Sequence, residues 1–232
     1  FPYFYFLMLC MKSSAKKEIF SALFIPLLFL LVMWVVKLIE LQFDLSFIKF
    51  GVLPQKMKGI KGIFLSPFIH KDLMHLFNNS YPILILGGVL FSAYKKIAVQ
   101  IFIWLFLISG FWLWIIGRSS FHIGASGIIY ALASFLFVSG IVRKSPRLTA
   151  VSLAISFLYG SMIWGIFPNA TQVSWEGHLS GFVAGILVAI FFRNEGPQRK
   201  KYQWEIEEEL EKDALEGDCP KVNYILTKKR EA

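Results

Sequence analysis

HIGASGIIYALASFLFVSG, residues 122–140, is apolar enough over most of its length to sit in lipid. Its first turn nevertheless carries Ser126 in the run Gly124-Ala125-Ser126-Gly127, with His122 just upstream. A hydroxyl among small residues at the mouth of an apolar helix is what the rest of the chain has to explain.

The chain of 232 residues is 56% hydrophobic and 17% aromatic, with a mean hydropathy of +0.60. The hydrophobicity is bunched into runs, the signature of an integral membrane protein. A net charge of +9 does not point to nucleic acid, because Lys and Arg sit at the ends of apolar runs, where they anchor and orient membrane helices. Cys10 and Cys219 lie near opposite ends, without metal-ligand spacing or a disulfide framework. FPYFYFLMLC is too short to span a bilayer, and Met11 opens MKSSAKKEIF like an ordinary start. Residues 1–10 are therefore expected to come from upstream translation, with a short interfacial segment as the alternative. No cleavable signal peptide is expected.

Crossing hydrocarbon takes about 20 apolar residues in a helix. Six segments fit, at roughly 19–41, 72–93, 97–116, 125–142, 147–167 and 177–192. Lipid demands internally satisfied backbone groups and the alternation of a β-barrel is absent, so the expected fold is an all-α polytopic bundle of six transmembrane helices. The expected domains are an N-terminal segment at 1–18, a membrane domain at 19–193 and a charged tail at 194–232, which holds ten of the fifteen acidic residues. Lys12, Lys16, Lys17, Lys95, Lys96, Arg143, Lys144, Arg147, Arg193, Arg199, Lys200 and Lys201 fall on one side, against Arg118 on the other. The positive-inside rule then puts both termini in the cytoplasm. The first-to-second connection disagrees, with Lys49, Lys56, Lys58 and Lys61. Its apolar residues suggest an amphipathic segment lying in the outer interface.

This orientation brings the first turns of spans two, four and six to one depth. They carry His75 and Asn79, Ser126, and His178. His178, Gly181 and Gly185 share a helix face, as do Ser126 and Tyr130. The glycine face is where another backbone approaches most closely. If the two faces meet, the Ser126 hydroxyl and the His178 imidazole come within hydrogen-bonding range, with Tyr130 packed against the ring. Imidazole is a suitable general base for a serine nucleophile. Before the tail the acids are Glu18, Glu40, Asp44, Asp72 and Glu176, and none is placed to complete a triad, so a Ser–His dyad is expected. His75, Asn79 and the Ser126 backbone N–H are candidate donors to an oxyanion. This chemistry needs neither metal nor cofactor. GASG is not the hydrolase elbow G-x-S-x-G, because Ile128 occupies the last glycine position.

Three motifs together resemble the rhomboid family of intramembrane serine proteases. GASG at 124–127 with Tyr130 matches the nucleophile motif. HKDLMHLFNNS at 70–80 matches the second-helix pattern, and WEGHLSGFVAG at 175–185 matches that of the last helix. The resemblance implies Ser126 as nucleophile, His178 as base, His75 and Asn79 at the oxyanion site, and His70 supporting the first loop. It implies a substrate that is a transmembrane helix of another protein, cleaved near its outer end. The Trp-Arg motif found in the first loop of many relatives is absent, which leaves that loop's anchoring to be explained. His122 is not general in the family.

Hydrolysis needs water, so a cavity open to the outer side is expected, lined by His70, Asn78, Asn79, Ser119, Ser120, His122 and Gln172. Spans two and five and the loop IFPNATQVSWEG, with Phe157, Trp164 and Phe167, are the expected gate. Short loops and a compact core suggest a bacterial cell membrane. The competing readings are a non-catalytic rhomboid-like binder of transmembrane clients, a histidine-lined channel and a membrane metalloprotease. A channel would carry polarity through several helices, whereas here it stops at the outer turns. H-E-x-x-H is absent, and His70 and His75 are poorly spaced to share a metal.

Overall fold

The structure, a computed structural model, describes residues 13–159, 165–168, 174–197 and 202–215. Residues 1–10, Trp164, Gln172, Cys219 and residues 169–173 of the expected gate loop lie outside them. The chain divides into two units, Phe1–Gln198 and Arg199–Ala232.

Regular structure among the described residues of the first unit is helical. The helices are α1 (Ser13–Gln42), α2 (Leu73–Tyr94), α3 (Ala98–Ile116), α4 (Ser126–Val142), α5 (Pro146–Tyr159) and α6 (Trp175–Phe191). Each overlaps an apolar run in the sequence, although α5 is described only to Tyr159, short of the expected 167. In α1, α2 and α3 the chain is long and apolar enough to cross a membrane. The apolar helices α4 and α6 are shorter, at 17 residues each. In the second unit, α7 (Gln203–Leu215) is a charged helix, with a Glu208–Lys212 pair one turn apart at 3.2 Å.

α4 is the centre of the first unit, and α2, α3, α5 and α6 all pack on it. It is apolar all round and buried nearly all round: Ile128, Ile129, Ala131, Leu132, Phe135 and Leu136 have almost no exposed surface. That pattern suits a helix with protein on every side. α1 lies against α2 and shows Phe20, Phe24, Leu31 and Leu38 outward, as a helix facing acyl chains does.

The α4–α6 contact is the tightest in the bundle. A Cβ added at Gly181 would run into the Gly127 carbonyl oxygen, and one at Gly185 into the Ala131 carbonyl oxygen and the Ser134 hydroxyl. Backbone thus lies directly on backbone, which only glycine permits. Ser134 Oγ donates across the seam to the Phe182 carbonyl at 2.9 Å. At the far ends of the two helices, the Arg143 guanidinium donates to the carbonyls of Phe192, Arg193 and Glu195. The carbonyls at the end of a helix carry partial negative charge, and a cation suits them.

The first-to-second connection packs one side on the bundle and leaves the other outward. Short helical turns at Ile48–Phe50, Met57–Gly59, Gly62–Leu65 and Ser66–Phe68 fold it against the bundle. Val52, Leu53, Ile63, Ser66, Ile69 and His70 are buried, while Phe50, Met57 and Phe64 stay exposed. Hydrogen bonds tie this connection to the bundle. Val52 and His122 form an antiparallel bridge. Gln55 N–H donates to the Trp114 carbonyl at 3.0 Å, and Trp114 Nε1 returns a bond to the Lys56 carbonyl at 3.1 Å.

The seam predicts a sharp contrast between glycines. Gly181→Val should destabilise the protein by about 1–3 kcal/mol, seen as a lower Tm in detergent. Gly88→Ala should be close to neutral, because its Cβ would meet only the end of the Leu23 side chain, at 3.0 Å. Equal effects at the two positions would contradict the packing described.

Candidate active site

Ser126 is the first residue of α4, so its own N–H has no partner within the helix. The chain enters α4 through Gly124, whose φ of +100° lies in the left-handed region that favours glycine. A Cβ at Gly124 would sit 2.8 Å from His75 Nε2. The glycine therefore supplies both the turn and the room for His75.

His178 lies in the first turn of α6, behind the N-cap Ser174, whose Oγ accepts from Gly177 N–H. Its Nε2 is 3.0 Å from Ser126 Oγ. Its Nδ1 is 2.9 Å from the Gly165 carbonyl oxygen. A carbonyl only accepts, so Nδ1 carries the proton and Nε2 presents its lone pair to Ser126. This is the tautomer a general base requires. The Tyr130 ring stacks on the imidazole with centroids 4.2 Å apart and planes 10° from parallel. The ring is thus held from three directions.

On α2, Asp72 is the N-cap and accepts from His75 N–H at 2.7 Å. That bond holds the Asp72 carboxyl below its ordinary value. His75 is half-buried and Asn79 buried. The Asn79 amide donates to the His75 carbonyl at 2.8 Å. One of its two N–H protons is therefore spent on its own helix, and one is left for another acceptor.

His70 is buried, edge-on to His75 with ring centroids 5.0 Å apart. Neither of its ring nitrogens meets a partner among the described residues. Its backbone is held instead: Lys37 Nζ, buried in α1, donates to the carbonyls of His70 and Lys71 at 3.0 and 3.1 Å. Glu40 pairs with Lys37 at 3.1 Å and accepts Phe47 N–H at 2.7 Å. Burial, with His75 adding to it, holds the His70 imidazole down at about 3.

A cleft of about 700 Å³ opens over these groups, lined among others by His75, Asn78, Asn79, Ser126, Tyr130 and His178. Of the expected lining residues that are described, Asn78 and Asn79 line this cleft. His70 and His122 are packed inside the protein instead. Ser119 and Ser120 are not part of the lining, whereas Arg118 and Ser174 are. Three contributors escaped the sequence reading. The Gly165 carbonyl is a backbone group with no side-chain signature, Ser174 reads as an ordinary cap, and Lys37 reads as an interruption in an apolar helix.

A family model described as the Rhomboid domain matches residues 58–195. The chain belongs to the rhomboid family. Uncharacterized proteins of Mycobacterium tuberculosis and Mycobacterium bovis are each 33% identical to it over 163 residues, 65% of this chain and 65% of their own length. One of Mycobacterium leprae is 32% identical over 186 residues, covering 75% of this chain and 72% of its own. The chain thus spans 65% of the length of the first two relatives. Membership in the rhomboid family, with these apolar helices, makes this an integral membrane protein.

The buried His70 of this rhomboid protein has a measurable consequence. An imidazole held down in the folded state takes up a proton first in the unfolded chain. Stability should therefore fall as pH drops below the ordinary imidazole value near 6.5 towards about 3, by at most ~1.4 kcal/mol per pH unit. Tm measured from pH 7 to 4.5 should fall less steeply in His70→Gln than in the wild type. Parallel curves would show that His70 does not titrate in this way.

Proposed function

We propose that this rhomboid-family protein is an intramembrane serine endopeptidase. Ser126 is the nucleophile and His178 the general base, and the observation that carries the reading is the 3.0 Å contact between Ser126 Oγ and His178 Nε2 with Nδ1 committed to the Gly165 carbonyl. As Ser126 attacks a peptide carbonyl, its proton passes to Nε2. The imidazolium then gives that proton to the departing amine. His75, Asn79 and the Ser126 N–H stabilise the negative charge on the carbonyl oxygen. Their support is their place around Gly124 at the start of α4 and the spare amide proton of Asn79.

The substrates are transmembrane segments of single-span or other membrane proteins, cut in or near their outer ends. The chain crosses the bilayer six times, with residues 19–193 as the catalytic domain and 194–232 as a cytoplasmic tail. Both termini are cytoplasmic, and the membrane is a bacterial cell membrane. Helix length supports this placement. At 17 residues α4 is ~25 Å long, short of the ~30 Å hydrocarbon core. A helix that stops short leaves Ser126 below the membrane surface at the floor of a wet cleft. Water and a locally unwound substrate then meet there, within the thickness of the bilayer.

The test is cleavage of a single-span substrate by purified protein in detergent, with fluorophosphonate labelling read by mass spectrometry. Wild type should cleave and carry the adduct on Ser126, and Ser126→Ala should do neither. His178→Ala should lose about 10²–10⁴-fold in rate, and Asn79→Ala about 10²–10³-fold. Capture of a client without cleavage or adduct would favour the non-catalytic binder. Cleavage that survives Ser126→Ala would overturn the assignment.

A further inference from the structure

His122 lies outside the dyad, yet it is almost wholly buried and all of its polar groups are engaged. Its backbone N–H donates to the Val52 carbonyl at 2.8 Å and its carbonyl accepts from Val52 N–H at 2.9 Å. Its Nε2 is 3.0 Å from the Arg118 carbonyl oxygen, with Ser120 Oγ at 3.3 Å. Its Nδ1 is 2.6 Å from Ser174 Oγ. Because the Arg118 carbonyl accepts only, the proton sits on Nε2 and Nδ1 accepts the Ser174 hydroxyl proton. Burial holds this imidazole below its ordinary value, in keeping with a neutral ring.

Ser174 is the cap that starts α6. Its Oγ accepts Gly177 N–H at 3.3 Å, and its carbonyl accepts His178 N–H at 3.1 Å. The relay therefore runs from Gly177 N–H to Ser174 Oγ–H, to His122 Nδ1, and from Nε2–H to the Arg118 carbonyl. A second tie joins the same two segments, an Arg118–Glu176 ion pair at 3.6 Å with the glutamate buried. His178 is the fourth residue of the helix so held.

We propose that His122 is a positioning residue for the reaction. Its imidazole clamps Ser174, and through that cap it sets how far the first turn of α6 reaches towards α4, and so the distance from His178 Nε2 to Ser126 Oγ. The Val52 bridge anchors the clamp in the first loop, so the loop steadies the base without touching it. The effect on rate follows from geometry, because displacing a reacting group by an ångström costs on the order of 10²-fold. The proposal rests on the protease reading above.

The test compares His122→Ala, Ser174→Ala, the double variant and His122→Phe with wild type. His122→Phe keeps the ring's bulk and removes its side-chain hydrogen bonds. The readouts are kcat and KM on a single-span substrate, the rate of Ser126 labelling by a fluorophosphonate, and Tm. Each single variant should lose about 10- to 100-fold in kcat and in labelling rate, with KM within about twofold of wild type. The double variant should be no worse than the worse single, as expected of groups acting as one unit. Ser174→Asn, which keeps an acceptor for Gly177 and a donor for His122, should recover most of the rate. Full kcat in His122→Phe, losses that multiply in the double variant, or a rate that tracks Tm alone would overturn the clamp. A wild type that neither cleaves nor labels would remove the protease reading and this proposal together. An active wild type with unimpaired His122 variants would remove this proposal only.

Discussion

Between α4 and α6 there is no room for a methyl group. Gly181 meets the Gly127 carbonyl, and Gly185 meets the backbone around Ala131. Everything at the candidate site depends on that contact, because Ser126 begins one of these helices and His178 sits in the first turn of the other. Without hydrophobic sorting between helix and lipid, close van der Waals approach is a main source of helix association in a membrane. The same glycines therefore hold the bundle together and bring the hydroxyl to 3.0 Å from the imidazole. Stability and the proposed chemistry share one seam.

A second constraint is polar satisfaction. Buried polar groups in an apolar bundle need partners, and here the partners are largely backbone. The Gly165 carbonyl fixes the tautomer of His178, the Arg118 carbonyl fixes that of His122, and Lys37 ties down the carbonyls of His70 and Lys71. Main-chain acceptors carry no net charge. They hold an imidazole without introducing a carboxylate whose charge would have to be buried. A dyad without an acid is consistent with that environment.

Much of this was legible in the sequence. The small-residue run around Ser126, the spacing of His178 to Gly181 and Gly185, and that of Ser126 to Tyr130 follow from helical periodicity, and the structure brings those faces together. The apolar runs mark the helices, since lipid leaves the backbone few choices. What was not legible has physical reasons. Gly165 acts through its carbonyl, which every residue possesses. The path of the first loop was not legible because its apolar residues follow no regular period. Its short turns and the single Val52–His122 bridge arise from tertiary contacts. His122 looked like a pocket-lining residue for the same reason, since its burial depends on that loop. Asn79 read as a candidate donor, and nothing in its spacing reveals that one amide proton returns to the His75 carbonyl.

The account stands on one hydrogen bond with one tautomer, and both are observable. The chain has four histidines, so ¹⁵N NMR of histidine-labelled protein in detergent or bilayers is tractable, with His178→Gln to assign its signals. The account predicts a neutral His178 protonated at Nδ1, with a hydrogen-bonded Nε2 whose shift moves when Ser126 is replaced by alanine. A His178 protonated at Nε2, or one indifferent to the loss of the Ser126 hydroxyl, would contradict it.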